Sequence, residues 1–149
     1  MARVQLTPLA SYPFAAKLVV RTTDLNYGGH LGNDRVLTLV HEARVAWLAS
    51  HGWTELACGG VSLIMADAAI VYRNEAFAGD RLRIEVAPTA PTGTAFRLAY
   101  RVTRPSDETE IALVETGMVC YDYERRRIVR LPAAVRSACN ADTNGTTDP

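Results

Sequence analysis

"DLNYGGHLGNDRVLTLVHEARVAWLASHG", residues 24–52, joins a stretch crowded with small and polar groups to the one long apolar-periodic run in the chain. Its first eleven residues hold three glycines, a histidine, two asparagines and two aspartates. In the second part Val36, Leu37, Val40, Ala43, Trp47 and Leu48 recur at helical steps, so they predict a helix with one apolar stripe. Asn33 or Asp34 is suited to start that helix, Asp34 also opposing the positive end of the dipole, and Gly52 is suited to end it. Eighteen or so residues make a helix of about 27 Å. So polar a helix mouth is either an elaborate helix start or the floor of an active site.

Working outward, the rest of the chain reads as strands. "KLVVRTT" (17–23) is apolar and β-branched and predicts a first strand. After the helix, "VSLIMADAAIVYR" (61–73) is nearly continuous and apolar, whereas "DRLRIEVAP" (80–88) and "TAFRLAYRVTR" (94–104) alternate. "TEIALVETGMVCYDYE" (109–124) breaks its alternation around Glu115 to Gly117, which predicts a bulge or bend there. "ERRRIVRLP" (124–132) closes the sheet with a short edge strand. The joints "FAGD", "PTGT" and "RPSDE" are short turns, which favour antiparallel neighbours. One long helix among such strands is an α+β pattern, with a curved sheet of about five to six strands around the helix. The expected organisation is a single domain over residues 1–136 and a disordered polar tail over 137–149.

The 149 residues suit one domain able to bury a sizeable core. Lysine plus arginine balance aspartate plus glutamate at 16 each, so charge gives no case for nucleic acid or an anionic membrane surface. No apolar run approaches the ~20 residues that span a bilayer, and the N-terminus lacks a signal-peptide core. Three cysteines, with no C-x-x-C pair, suit a reducing cytoplasm. His30, His41 and His51 lack a metal-ligand spacing, so no metal is expected, and with no P-loop or dinucleotide fingerprint no cofactor is expected either.

Four pieces in order, "VRTTDLN", "GGHLGND", "HEARVAWL" and "VYRNEAFAGDRLRIEV", resemble the hotdog-fold thioesterases of the 4-hydroxybenzoyl-CoA thioesterase-like group over residues 17–122. The resemblance implies a hotdog fold, one long central helix wrapped by an antiparallel sheet, and dimers that join two sheets. It also implies sites near the helix start at the subunit interface and hydrolysis of acyl thioesters, usually acyl-CoA. In many members the second aspartate of a D-x-D turn is the catalytic carboxylate; that position here is Asn26, and Asp24 matches the first. Similarity to plant acyl-carrier-protein thioesterases places their aspartate on Asn26, their asparagine on Gly28, their histidine on His30 and their glutamate near Glu75.

Thioester hydrolysis needs an attacking water or carboxylate and hydrogen-bond donors where the oxyanion forms. Tyr27, Gly28 and Gly29 are expected to contact substrate, the glycines bringing backbone N–H groups close to it. Asn26 can orient the carbonyl or the water through its amide, and His30 has the chemistry of a general base. Asp67, the only acid in its apolar run, suits a buried carboxylate of raised pKa and is the first candidate for the base; a structural pair with an arginine or a place on a subunit seam is the alternative. Glu42 on the helix and Glu75 near a turn are further substrate contacts, and Arg125, Arg126, Arg127 and Arg130 could meet phosphates.

The reading is an acyl-CoA thioesterase, acting on a coenzyme A or carrier-protein thioester as a homodimer or tetramer of dimers. A non-catalytic acyl-thioester binding module and an enoyl-thioester hydratase on the same scaffold are the rivals. Acyl chain type, carrier and the identity of the base stay open at this point.

Overall fold

The computed structural model describes residues 2–141. Six strands form one antiparallel sheet: β1 (Phe14–Val19), β2 (Ser62–Tyr72), β3 (Arg81–Thr89), β4 (Ala95–Arg104), β5 (Thr109–Asp122) and β6 (Arg127–Ile128). Their spatial order is β1-β3-β4-β5-β2, with β6 also on β5. Both β1 and β2 are therefore edge strands. The first strand lies a few residues before its expected place, because Lys17–Val19 pair with Arg83–Arg81 while Val20 N–H already turns to the Asp80 carbonyl.

Helix α1 (Asn33–Ser50) buries Val36, Leu39, Val40, Ala43, Trp47 and Leu48. It lies closest to β1 and β3, and Trp47 reaches the Phe96 ring on β4, with centroids 6.1 Å apart. Leu37, expected on the apolar stripe, is only half-buried, and Leu39 takes its place. Gly32, not Asn33 or Asp34, occupies the N-cap. At the far end Gly52 (φ +76°) follows the His51 cap, and N–H groups of Gly52 and Trp53 close on the Ala49 and Leu48 carbonyls. This double closure is a Schellman stop, which a left-handed glycine permits at no steric cost.

Two expectations are corrected. The irregularity foreseen near Glu115–Gly117 lies in the facing strand: Met65 pairs with Met118 and Asp67 with Gly117, leaving Ala66 as the extra residue. The chain beyond 136 is not featureless either, since α2 (Ala133–Asn140) buries Val135 and Cys139 and contacts β3. The rest of the expected tail, residues 142–149, lies outside the described residues. Among the described residues no helix is long and apolar enough to cross a membrane.

Candidate active site

The polar stretch ahead of α1 is a tight hairpin built around one side chain. Leu25 and Leu31 bridge, Asn26 N–H donates to the His30 carbonyl (2.8 Å), and Gly29 N–H donates to the Asn26 carbonyl (3.1 Å). Gly29 has φ +79°, a conformation that a residue with a Cβ rarely adopts, so the turn requires glycine there. Asn26 Oδ1 then accepts from Gly28 N–H (3.0 Å) and His30 N–H (3.2 Å). The three N–H groups of Gly28, Gly29 and His30 are thus all bonded to Asn26. This corrects the expectation that the glycine amides face a ligand, because the loop consumes them. The side-chain NH₂ of Asn26 remains, and it can only donate.

Asp24 anchors the start of this loop. Burial works against its charge, yet the Arg21 N–H (2.8 Å) and guanidinium hold its carboxyl below the usual carboxylate range. It belongs to a single helical turn, Thr22–Asp24, and its own carbonyl receives Gly32 N–H (2.9 Å).

Asn26 and His30 border a cleft of about 270 Å³ that also meets Asn33, Tyr72, Asn74 and Glu75, over a floor of Leu31, Val36, Ala76 and Ile111. His30 Nδ1 is 3.3 Å from Glu75 Oε1, and its ring meets the Phe77 ring edge-on with centroids 5.3 Å apart. Tyr72 hydroxyl donates to the Asn33 carbonyl (2.8 Å), tying β2 to the first turn of α1. Asn74 Nδ2 donates to the Glu110 carbonyl (2.8 Å), which leaves its Oδ1 as an acceptor at the cleft. The amides of Asn33 and Asp34 open α1 and have no carbonyl one turn earlier within the helix to bond. The cleft therefore offers donors, one imidazole and one carboxylate around an apolar floor.

The other candidates stand elsewhere. Tyr27 is fully exposed at the loop tip, and Glu42 is exposed on α1 away from the cleft. Asp67 departs most from expectation. Its side chain is 55% exposed on β2, and Arg97 holds it through Nη2 (2.7 Å) and Nη1 (3.1 Å). The hydrogen bonds from Arg97 keep its carboxyl below the usual range, so the raised pKa expected for a buried base is absent. The physical reason is topological: an apolar run reads as buried on both faces, but β2 is an edge strand. Arg97 is shared with Glu115, and Gly117 between them has no side chain to obstruct Asp67.

Sequence reasoning overlooked a buried polar group under α1. Arg44 is buried and donates from Nε to Glu55 Oε1 (3.0 Å), which His41 Nε2 also approaches at 2.9 Å. Tyr100 hydroxyl, beneath the helix, bonds Thr116 Oγ1 at 3.2 Å. An arginine on the stripe side of the helix, one residue after Ala43, was the available signal. Burial pushes the Cys58 thiol up to about 12 and the Cys120 thiol to about 11, so neither is a nucleophile near neutral pH. Among the described residues no group of three or more histidine, cysteine or acidic side chains could hold a metal ion.

Residues 20–139 match the thioesterase-like superfamily. A 1,4-dihydroxy-2-naphthoyl-CoA hydrolase of Synechococcus elongatus is 31% identical over 129 residues, covering 83% of this chain and 91% of the relative. Among solved structures, Slr0204 of Synechocystis, a 1,4-dihydroxy-2-naphthoyl-CoA thioesterase, superposes with a TM-score of 0.77 at 23% identity, covering 91% of this chain and 98% of that one. PA2801 of Pseudomonas aeruginosa, a putative thioesterase, also gives 0.77, at 19% identity, over 86% of this chain and 98% of that one.

Proposed function

The chain belongs to the thioesterase-like superfamily, and from that premise we infer that it hydrolyses the thioester bond of an acyl-CoA to a free carboxylic acid and coenzyme A. The observation that carries the reading is the cleft at the start of α1, where Asn26, His30, Asn33 and Glu75 face one small apolar-floored space.

In this reading Asn26 Nδ2 and the first amides of α1 donate to the thioester carbonyl, where negative charge develops. His30 takes a proton from water as the water oxygen bonds the carbonyl carbon. Collapse of the tetrahedral intermediate breaks the C–S bond, and the imidazolium returns the proton to the departing thiolate. Glu75, against Nδ1, holds the ring and favours its transient positive charge. Asn26 is thus a donor where many relatives carry a carboxylate, and the water takes the place of a carboxylate nucleophile. Tyr27, fully exposed at the loop tip, is a substrate contact at the cleft's outer rim in this reading, and Glu42, on α1 away from the cleft, has no part in it.

For the acyl group we propose a hydroxylated aromatic acid. The relative's substrate supports this, as do the short apolar floor and the Asn74 Oδ1 acceptor at its rim. We also propose a cytoplasmic homodimer, or a tetramer of dimers. The support is β2, an 11-residue edge strand with one charge and with Met65, Ala66, Ala68 and Tyr72 exposed. A long apolar edge left open invites pairing, and a second copy of the same edge satisfies it.

Thiol release from purified acyl-CoAs, hydroxylated aromatic, short aliphatic and long aliphatic, tests the reading. Turnover highest on the aromatic thioesters is the expected result. Binding of these compounds without thiol release would replace the hydrolase with a binding module.

A further inference from the structure

The segment before β1 carries a surface that neither the cleft nor the sheet accounts for. Residues 3–7 run beside the end of β2, leaving a groove of about 600 Å³ between Val4 and Leu6 on one side and Ile70 and Val71 on the other, with Arg3 and Arg73 on its rim. Val4 is 61% exposed. Among the described residues no backbone hydrogen bond ties residues 3–8 to the sheet. What holds the segment is Tyr12, whose ring lies 5.0 Å from the Arg101 guanidinium and whose hydroxyl accepts from Leu9 N–H (3.1 Å). Such an apolar, loosely tied arm costs solvation unless something covers it.

At the opposite end of the same strand lies a second patch. Around Ser62 it gathers Leu56, Val61, Tyr121 and Tyr123, with Asp122 and Glu124 beside them. Leu56 is 72% and Tyr123 53% exposed. The two patches are complementary in kind: apolar with two cations at the Tyr72 end, apolar with two anions at the Ser62 end. Arg73 stands 3.6 Å from Glu110, while Asp122 Oδ1 accepts from the Glu124 (2.9 Å) and Arg125 (3.0 Å) amides and its other oxygen stands 3.8 Å from the Arg125 guanidinium. Antiparallel pairing of two β2 edges sets the Tyr72 end of one copy beside the Ser62 end of the other, and two-fold symmetry does so twice.

We propose that Arg3–Thr7 of each copy clasps the Ser62 and Tyr121–Glu124 surface of a second copy. The occupant of the groove is thus the partner's strand end, and the arm locks the dimer from outside the paired strands. This rests on the homodimer reading above. Because the groove and the cleft share Tyr72 and Arg73, the clasp also fixes the partner against the wall of the active site.

The geometry allows a test that only an intermolecular contact can pass. Along 11 residues of β2 the two patches are about 33 Å apart in one chain, far beyond the roughly 7 Å between Cα atoms that a disulfide tolerates. Leu6→Cys and Tyr123→Cys are made as separate full-length proteins, mixed, and oxidised mildly, with unaltered protein as control. A covalent dimer on a non-reducing gel, formed in the mixture and absent from either variant alone, is the expected result. Sedimentation of a chain lacking residues 2–8 is the second arm, with the dimer dissociation constant raised at least tenfold. An unaltered chain that dimerises, yet gives no covalent dimer in the mixture and no change on deletion, overturns the clasp alone. An unaltered chain that stays monomeric overturns the homodimer reading and the clasp with it.

Discussion

His30 Nδ1 stands 3.3 Å from Glu75 Oε1, so the loop ahead of α1 and the segment after β2 meet in one pair. Neither partner is buried: their side chains are 37% and 64% exposed, which leaves the imidazole open to water and substrate. A carboxylate beside one ring nitrogen favours the tautomer that leaves the other free to accept.

Glu75→Gln keeps the shape and removes the charge. It is expected to lower kcat about tenfold with KM little changed, because Glu75 acts through the ring and stabilises its protonated form. Steady-state thiol release on an aromatic acyl-CoA checks this; a rise in KM with unchanged kcat would make Glu75 a substrate contact instead.

Asn26 has two separable duties. Asn26→Asp retains an oxygen for the Gly28 and His30 amides, so the loop should keep its fold and thermal stability. The same change replaces the donor NH₂ by an acceptor in the cleft, and turnover through the water route should fall on the order of 10²-fold. Asn26→Ala loses both duties and should also cost about 0.5–1 kcal/mol, since two exposed amides exchange their acceptor for water. Thermal unfolding beside kinetics separates the two variants.

Asp67 is expected to matter for pH-dependent stability and not for turnover. Arg97 lowers its carboxyl pKa in the folded chain, so the pair stabilises above the ordinary carboxylate pKa of about 3.9 and the gain is lost as pH falls through the folded value. With Asp67 more than half exposed, screening limits the effect to about 1 kcal/mol or less. Asp67→Asn should therefore unfold slightly earlier than the unaltered chain at neutral pH and indistinguishably from it in strong acid. Turnover lost in Asp67→Asn with the fold intact would return Asp67 to the chemistry.

Gly117 should be coupled to that pair. A Cβ there would crowd Asp67 Oδ2 and lie 2.8 Å from Arg97 Nη1, both ends of flexible side chains that can swing away. Gly117→Ala should cost no more than the ion pair itself, roughly 1 kcal/mol. In a double-mutant cycle with Asp67→Asn the two losses should overlap rather than add, since both remove the same contact.

How far the residues alone reached depends on which interactions were local. The spacing of Val36, Val40, Ala43, Trp47 and Leu48 located α1, and Gly52 its end, since both are written within a few residues. The alternating strands and their short turns placed β3 to β5 for the same reason. Between a buried base and an arginine pair, Asp67 could not be decided locally, because its exposure depends on β2 being an edge and its partner, Arg97, comes from β4. The fate of the glycine amides was equally hidden: Gly28 and Gly29 announce a turn, but not that Asn26 consumes their N–H groups. In α2, Val135 and Cys139 stand at a four-residue step, but a helix only 8 residues long made the pattern too short to separate from the polar tail after it.

In the proposed reaction the cleft between Asn26, His30 and Glu75 carries the chemistry. Its most direct test is kcat for thiol release from a hydroxylated aromatic acyl-CoA by the unaltered chain and by His30→Ala, with circular dichroism to confirm that both are folded. A loss on the order of 10²- to 10³-fold is expected in the folded variant, the usual scale for removing a general base. Turnover within about threefold of the unaltered chain would contradict it, and would place the base outside the cleft.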